Sequence, residues 1–393
     1  MPDRSSIAPK NNSIQPGSWL GVFGGGQLGR MFTHAAQRMG FHVAVWEPEA
    51  NCPASQAADL HLQPASPDEE AAAATELGTL CDAITIEFEN INSGYLRGAA
   101  LASRVCPGAE FLEICQDRVL EKTSLSQAGF PTTPFLPVQN QVHVAQAIDS
   151  FGTPVVLKTA RSGYDGKGQA VVRSASEIRE TFESLDTNHL IAEKWIAYQA
   201  EVSMIAARNA AGQIECFPLV ENEHANHILD VSRCPVQPML VSLQAHATEI
   251  CRGIASRFEV VGLFCVEFFV DARGELLINE IAPRPHNSGH LTIEAFDCSQ
   301  FEQQVRAMCN LPLARPVQLR PAAMSNLLGD VWSAGEPHWK AALVQPNVHL
   351  HLYGKSHARA GRKMGHVTVL DDDSGRAAEK ARQIRTQLAK ANG

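Results

Sequence analysis

The stretch VVLKTARSGYDGKGQAVV, residues 155–172, has two apolar segments separated by a glycine-rich loop. We predict a strand, a loop and a second, antiparallel strand. The loop glycines and the cations around them are Gly163, Gly166, Gly168, Lys158, Arg161 and Lys167. Such a flap can fold over a polyphosphate, because it offers backbone N–H groups and positive charge without bulk. The Walker A spacing G-x-x-x-x-G-K-[ST] is absent, and a plain β-hairpin with a flexible tip is the alternative.

A second apolar strand, LIAEKWI at residues 190–196, ends in two charged residues. Where a strand passes into a linker, backbone groups can meet the edge of an adenine ring. Glu201, eight residues after Glu193, could then hold a ribose. Taken alone, the same residues would be an ordinary surface strand end.

An acidic pair stands in GLFCVEFFVDARGELLINEIAPRPHNSGH, residues 262–290, which we predict to be a hairpin with its turn at 271–274. Glu267 lies within a strongly apolar strand, where an unpaired carboxylate is costly. Glu280, with Asn279, ends the partner strand. Two carboxylates and an amide oxygen suit Mg²⁺ that also keeps waters and phosphate oxygens. A buried Glu satisfied by Arg or backbone donors is the alternative.

The loop after Glu280 carries several polar and cationic side chains between prolines that forbid regular structure. They are Arg284, His286, Asn287, Ser288 and His290. Beside a metal pair, this loop is a candidate anion site. Zn²⁺ on His286 and His290 is the competing hypothesis, although the prolines and Gly289 exclude the helical spacing that would support it.

A second glycine-rich stretch, LGVFGGGQLGRM at residues 20–31, follows a predicted strand and has the G-x-G-x-x-G spacing. Glu47 ends the next strand, where a dinucleotide fold places an acid for the ribose. The pattern fits a nicotinamide or flavin site, and it equally fits another phosphate ligand, because any phosphate can use such a turn.

The order of elements predicts a mixed α/β and α+β protein. We expect a disordered tail at 1–18, a parallel α/β domain at 19–115, a domain with antiparallel sheet at 116–315, and a small β-rich domain at 316–393. The parallel strands are expected near 19–23, 41–46, 83–88 and 105–107. Helices are expected near 27–39, 68–80, 117–129, 176–185, 246–258 and 374–390.

Composition narrows the class of protein. The net charge of −9 gives no basic footprint for nucleic acid. No apolar run is long enough to span a membrane, and the N-terminal residues lack the apolar core of a secretory signal. The ten cysteines show no C-x-x-C pair. We therefore expect buried, reduced thiols in a cytoplasmic protein.

Together these motifs resemble a known family. Lys158, the flap, the EKW strand end and the pair Glu267 and Glu280 look like an ATP-grasp enzyme. Within that superfamily, the chain resembles the 5-(carboxyamino)imidazole ribonucleotide synthases of purine biosynthesis. The motifs that carry this resemblance are GGGQLGRM (24–31), EFENI (87–91), QDR (116–118), ARSGYDGKGQ (160–169), VENEH (220–224) and NEIAPRPHNSGH (279–290).

The resemblance implies an ATP-grasp fold with an N-terminal pre-ATP-grasp domain that binds the ribonucleotide. It implies that ATP and bicarbonate carboxylate 5-aminoimidazole ribonucleotide through carboxyphosphate. It also implies Mg²⁺ on Glu267 and Glu280, and a homodimer. The implied ATP-binding residues are Arg118, Lys158, Gly163, Tyr164, Asp165, Gly166, Lys167, Gly168, Gln169, Glu193, Lys194, Trp195, Ile196, Glu201, His224, Asn279 and Glu280.

For the ribonucleotide, the resemblance implies Gly25, Gly26, Gln27, Leu28, Glu87, Lys355 and Arg362. Lys355 and Arg362 would hold its 5′-phosphate, and Glu87 its ribose hydroxyls or amine. The implied catalytic residues are Arg284, His286, Lys355, Tyr164 and Asp165. Of these, Arg284 and His286 would hold bicarbonate or carboxyphosphate, while Tyr164 and Asp165 would contact the imidazole. Without the resemblance, residues 355–363 would be interpreted as a solvated basic stretch.

The chain departs from the family pattern at His227, where VENxHxxGIL leads us to expect glycine. Four other functions fit parts of the pattern. A formate-dependent transformylase or a biotin carboxylase would share the ATP-grasp fold, although GYDGKGQ and APRPHNSGH disfavour the carboxylase. A nicotinamide oxidoreductase would use residues 24–29 and Glu47, and a nucleotide-binding sensor would keep the ATP site without turnover.

Overall fold

The computed structural model describes residues 12–163 and 166–390, so Tyr164 and Asp165 lie outside the described residues. The first region is a parallel sheet, as predicted, and its strand order is β3-β2-β1-β4-β5, in which β3 was not predicted. Its strands are β1 (Trp19–Phe23), β2 (His42–Trp46), β3 (Leu60–Leu62), β4 (Ala83–Ile86) and β5 (Arg104–Val105). Its helices are α1 (Gln27–Arg38), α2 (Pro67–Leu80), α3 (Ser93–Ala99) and α4 (Ala109–Gln116).

A small antiparallel sheet follows, in the order β6-β9-β7-β8. Its elements are α5 (Arg118–Gln127), β6 (Phe135–Val138), α6 (Gln141–Phe151), β7 (Val155–Thr159), β8 (Gln169–Val172), α7 (Ile178–Ser184) and β9 (Leu190–Lys194). The alternating apolar residues of β7 and β9 bury Val155, Leu157 and Ala192 against α6. The predicted flap therefore leaves this sheet at the end of β7 and returns at β8.

A large sheet completes the fold, in the order β15-β14-β10-β12-β13-β16-β18-β17, with β11 beside β10. Its strands are β10 (Ala200–Arg208), β11 (Ile214–Cys216), β12 (Val220–Ala225), β13 (Ile228–Cys234), β14 (Gly262–Val270), β15 (Leu276–Ala282), β16 (Ala322–Leu328), β17 (Val348–Leu352) and β18 (Lys363–Leu370). Its helices are α8 (Gln244–Arg257), α9 (Thr292–Ala295), α10 (Gln300–Met308), α11 (Trp339–Leu343) and α12 (Ser374–Leu388). Because β13 pairs with β16, one sheet runs across the predicted boundary at 315/316.

The hairpin of β14 and β15 turns where the sequence predicts. The Asp271 carboxylate accepts the N–H groups of Arg273 and Glu275, at 2.8 and 2.9 Å, and Gly274 has φ of +82°. The turn sets the pairing as far as Phe268 opposite Ile278, and a one-residue register shift at Asn279 then places Glu267 opposite Glu280. The predicted acidic pair therefore lies on neighbouring strands.

The expectation of a disordered tail over 1–18 is wrong for residues 12–18, and residues 1–11 lie outside the described residues. The Ile14 N–H donates to the carbonyl of Cys309 at 2.8 Å, and the Gly17 N–H donates to Gly40 at 2.7 Å. Ile14 also packs on the core between α1 and α10. One apolar side chain and these hydrogen bonds anchor the segment, which composition alone could not indicate.

Three stacked imidazoles connect the loop after β15 to strands β17 and β18. The ring centroids of His290 and His366 are 4.8 Å apart, and those of His366 and His351 are 4.4 Å apart. His290 and His366 are almost fully buried. Tyr353 Oη lies 2.9 Å from His366 Nδ1, and Glu294 Oε1 lies 2.6 Å from His351 Nε2. Burial lowers the pKa of His290 and of His366 well below the ordinary value, so both rings are neutral.

All ten cysteines are unpaired, and nine of them are buried. Among the described residues, no helix combines the length and apolarity that crossing a membrane requires.

Candidate active site

A cavity of about 980 Å³ lies between the small sheet and the large sheet. Strands of both sheets, the flap, the loop after β4 and the loop after β15 contribute to its wall. The predicted residues that line it are Gln27, Leu28, Glu87, Arg118, Lys158, Gly163, Gly166, Lys167, Gly168, Gln169, Glu193, Lys194, Trp195, Ile196, Glu201, His224, Glu267, Asn279, Glu280, Arg284 and His286. The fold therefore brings most of the predicted site to one place.

Lys158 enters the cavity from β7 and is held by a buried carboxylate. Its Nζ lies 2.9 Å from Glu193 Oε2 and 3.4 Å from Asn279 Oδ1. Burial alone would raise the pKa of Glu193, but the ammonium groups of Lys122 and Lys158 outweigh it and lower that pKa to about 2. Glu193 thus acts as the counter-ion that orients Lys158.

Lys122 belongs to the same ion cluster, and sequence reasoning missed it. Its Nζ donates to Thr133 Oγ1 at 2.6 Å and to the Ile278 carbonyl at 3.1 Å, and it lies 3.6 Å from Glu193 Oε1. The side chain is 1% exposed, on the inner face of α5. A lysine within a mixed helical pattern gives no sign that it is buried.

Arg118 joins the flap to the acidic pair. One guanidinium nitrogen pairs with Glu280, and Nη2 donates to the Gly163 carbonyl at 3.0 Å. Arg161, expected among the flap cations, pairs instead with Asp117, its Nε lying 3.1 Å from Oδ2. Asp117 caps α5 and carries the charge that attracts Arg161 away from the cavity.

Glu267 and Glu280 face each other, and each has a cationic partner. His286 Nε2 lies 3.0 Å from Glu267 Oε1, while Glu280 pairs with Arg118. With Asn279 Oδ1, these carboxylates form a hard oxygen set that is too small to enclose an ion. Such a set fits Mg²⁺ that keeps waters and phosphate oxygens. Within residues 12–163 and 166–390, no three His, Cys, Asp or Glu side chains are grouped as ligands of one ion, so the zinc hypothesis gains no support.

The loop after β15 is held rigidly. Gln300, on α10, accepts the His286 N–H at 2.9 Å and donates to the His286 carbonyl at 2.8 Å. His286 Nδ1 lies 2.8 Å from Ser288 Oγ. Burial lowers the pKa of His286, but nearby Cys265 and Glu267 outweigh it and raise that pKa to about 10. His286 is therefore a cation here, and sequence reasoning missed the role of Gln300.

The other wall of the cavity carries the predicted ribose carboxylate. Glu201, on β10, pairs with His224 on β12, Oε2 to Nδ1 at 2.8 Å. Both side chains are largely buried, and the pair raises the pKa of His224 and lowers that of Glu201 despite burial. Trp195, at the strand end, remains 46% exposed beside the cavity.

His227 occupies a turn that favours glycine. Asn226 and His227 join β12 to β13 with φ values of 51° and 65°, which explains why the pattern led us to expect glycine there. A Cβ built on Gly166 would lie 2.4 Å from the His227 Cβ, so the flap backbone packs directly on this side chain. Gln169 Nε2 also lies 3.3 Å from His227 Nδ1.

The first glycine loop holds carboxylates rather than presenting all its N–H groups to a phosphate. Gly25 donates to Glu47 Oε2 at 2.8 Å, and the Gly26 N–H bonds to Glu87. A Cβ on Gly26 would lie 2.4 Å from Glu87 Oε1, so a larger residue here would displace that carboxylate. Because Glu47 is committed to this loop, its arrangement does not favour the nicotinamide hypothesis.

Two acidic and two basic side chains meet where three regions of the chain approach one another. Glu87 and Glu89 follow β4, Arg284 follows β15, and Lys355 precedes β18. Arg284 Nε lies 2.5 Å from Glu89 Oε2. The charges of Arg284 and Lys355 oppose the effect of burial, which raises the pKa of Glu87. Burial and nearby Arg362 lower the pKa of Lys355 to about 8.

Lys355 and Arg362 belong to one ordered turn. Lys355 Nζ donates to the Lys363 carbonyl at 2.8 Å, and Arg362 Nη1 donates to the His357 carbonyl at 3.0 Å. Lys355 is largely buried, which a freely solvated basic stretch would not require. The structure therefore presents these cations as a fixed group.

Three family models match successive parts of the chain. They are the ribonucleotide synthetase preATP-grasp domain over residues 18–116, the ATP-grasp domain over 123–301, and the phosphoribosylaminoimidazole carboxylase C-terminal domain over 322–380. The two sheets, the flap and the cavity between them agree with these matches. The fold and the site define an ATP-grasp ligase.

Relatives narrow the class further. An N5-carboxyaminoimidazole ribonucleotide synthase of Staphylococcus aureus is 39% identical over 363 residues, covering 92% of this chain and 95% of that protein. The crystal structure of the S. aureus synthetase with ADP has a TM-score of 0.89 at 37% identity, covering 95% and 98% of the two chains. An Aspergillus clavatus synthase in complex with ADP and 5-aminoimidazole ribonucleotide has a TM-score of 0.85 at 29% identity, covering 97% and 99%. The chain belongs to the N5-carboxyaminoimidazole ribonucleotide synthase family.

Proposed function

We propose that this protein uses ATP and bicarbonate to carboxylate the amine of 5-aminoimidazole ribonucleotide, and that it releases ADP and phosphate. One observation carries the proposal: Lys158, the facing carboxylates of Glu267 and Glu280, and Arg284 line one cavity. The names of the relatives support it, as does the bound pair of ligands in the A. clavatus complex.

The first step is phosphoryl transfer, which depends mainly on positioning and charge neutralisation. A bicarbonate oxygen attacks the γ-phosphorus, and ADP leaves. Lys158 and the N–H groups of the flap neutralise the phosphates, and Glu201 holds the ribose of ATP. Glu267, Glu280 and Asn279 would hold Mg²⁺, which supplies a Lewis acid for the phosphate oxygens when bound.

The second step transfers the carboxyl group from carboxyphosphate to the amine, with loss of phosphate and of one amine proton. Arg284 and His286 hold the labile anion, which must be protected from water until it reacts. Glu87 orients the ribonucleotide, while Lys355 and Arg362 hold its 5′-phosphate. Tyr164 and Asp165, outside the described residues, are proposed to contact the imidazole.

The oligomeric state, the cellular location and the domain boundaries are also proposals. We infer a homodimer in the cytoplasm, with domain boundaries at 115/116 and 315/316. Membership of the synthase family favours bicarbonate over formate, the one-carbon acid that a transformylase with a similar ATP site would use.

ADP release from purified protein with MgATP is the test, with bicarbonate and 5-aminoimidazole ribonucleotide added singly and together. Release that requires the ribonucleotide and rises with bicarbonate is expected. Release that rises with formate instead would favour the transformylase. A lack of release under every condition would refute catalysis and favour a nucleotide sensor.

A further inference from the structure

Glu89 makes a buried ion pair that the proposed reaction does not yet use. Its Oε2 lies 2.5 Å from Arg284 Nε, and the side chains are 26% and 18% exposed. The two residues are 195 positions apart in the chain, and they join the loop after β4 to the loop after β15. Glu89 and Arg284 both line the cavity.

The backbone that carries Glu89 is fixed. Gln116, at the end of α4, donates from Nε2 to the carbonyls of Glu89 and Ile91 at 2.7 and 2.6 Å. The Glu87 N–H, two residues earlier, donates to Phe23 in β1 at 2.9 Å. A carboxylate on such a backbone can set the orientation of its partner, whereas a carboxylate on a mobile loop could not.

Two of the three guanidinium nitrogens of Arg284 have hydrogen-bond partners. Nε meets Glu89, and Nη1 donates to the Pro285 carbonyl at 3.1 Å. Within the described part of the chain, Nη2 has no hydrogen-bond partner. Because a guanidinium is a rigid planar fork, fixing Nε and Nη1 also fixes the direction of the Nη2 protons.

A negative charge beside an anion site is unfavourable for anion binding, so affinity cannot explain Glu89. Orientation can explain it. We propose that Glu89 is a positioning residue that directs Arg284 Nη2 at the carboxyl group transferred in the reaction. This inference rests on the proposed function, in which Arg284 holds bicarbonate and carboxyphosphate.

The first test compares Glu89→Gln with the wild type in ADP release and in carboxylated product. Loss of orientation should lower kcat by about 10- to 100-fold, while KM for bicarbonate stays equal or falls because a repelling charge has been removed. ADP released per product should rise, because misaligned carboxyphosphate decomposes in water. Glu113→Gln is the control: it breaks an exposed pair with Arg97 outside the cavity, 2.6 Å between Nη1 and Oε1, and should change none of these values.

A double-mutant cycle with Arg284→Lys completes the test. If Glu89 acts through Arg284, adding Glu89→Gln to Arg284→Lys should change kcat by less than about twofold. The proposal would be overturned if the two substitutions lowered kcat independently, so that the double variant lost the product of the two single effects. It would also be overturned if Glu89→Gln kept the kcat of the wild type and its ratio of ADP to carboxylated product. Glu89→Asp keeps the charge and takes the place of Glu89→Gln if that variant does not fold. Product formation by the wild type tests the proposed function separately, because this inference depends only on ratios to the wild type.

Discussion

Acid should destabilise this protein through the stacked imidazoles of His290 and His366. Both rings are buried and their pKa values are well below 6.5, so the unfolded chain binds protons that the folded chain does not bind. Each ring should cost about 1 kcal/mol of unfolding free energy between pH 6.5 and 5.5, and about 1.4 kcal/mol for each further pH unit above its folded pKa.

Other titrating groups act in different pH ranges. The pKa values of His224 and His286 are raised, so their stabilisation is complete below pH 6.5 and is lost as the pH rises through their folded values. Carboxylates with lowered pKa values, such as Glu193, contribute only below the ordinary carboxyl range. Glu121 opposes the two rings between pH 6.5 and 5.5, because burial raises its pKa to about 8 and the folded chain then holds a proton that the unfolded chain releases. The contribution of one ring is therefore measured as the difference in slope between the wild type and a variant that lacks that ring.

Urea unfolding at pH 7.5, 6.5 and 5.5 measures the effect, for the wild type and for His366→Gln. Glutamine can still accept from Tyr353 Oη but does not titrate, so the contribution of one ring, about 1 kcal/mol between pH 6.5 and 5.5, should disappear. His246→Gln, at an exposed position of α8, is the control and should keep the wild-type slope. An equal slope in His366→Gln and in the wild type would refute this account.

Three further substitutions test the site. Glu280→Gln should keep the circular dichroism of the wild type but abolish Mg²⁺-dependent ADP release, and full activity would contradict the metal assignment. Lys355→Ala should raise KM for the ribonucleotide at least about tenfold more than KM for ATP, since a phosphate contact is a charge-assisted bond. An unchanged KM for the ribonucleotide would show that Lys355 does not bind its phosphate. His227→Gly should stabilise the turn by about 0.5 kcal/mol, because left-handed strain exceeds the entropy cost of glycine, and should weaken ADP binding through the lost flap contact. Asn347→Gly, at a left-handed position outside the cavity, is its control and should leave ADP affinity unchanged.

The sequence predicted the elements that have long apolar runs and clear turn signals. Strands β14 and β15 form the predicted hairpin around the predicted turn, because their apolar runs flank a turn built on Asp271 and Gly274. Strands β12 and β13 were missed, since VENEHANHILD alternates too weakly and its turn carries histidine rather than glycine. Short elements such as β3 leave no pattern to detect.

The cationic and acidic residues of the site could be predicted as types, but their pairings could not. Arg118 and Glu280 are 162 positions apart, and nothing local indicates that they meet. Arg161 was predicted to face the phosphates because it lies beside a glycine-rich loop. It pairs with Asp117 instead, which local sequence did not indicate. Local sequence thus indicates which chemistry is available, whereas tertiary contacts decide which charge neutralises which.

The pairing of β13 with β16 makes the C-terminal quarter indispensable to its neighbour. A fragment that stopped at residue 315 would leave the seven residues of β13 as an open edge with a row of unpaired N–H and C=O groups. Open edges of this kind recruit strands from other copies, which leads to aggregation. The chain matches separate family domains, but these parts share one sheet and should not fold separately. Expression of the nucleotide-binding part alone should therefore yield insoluble protein.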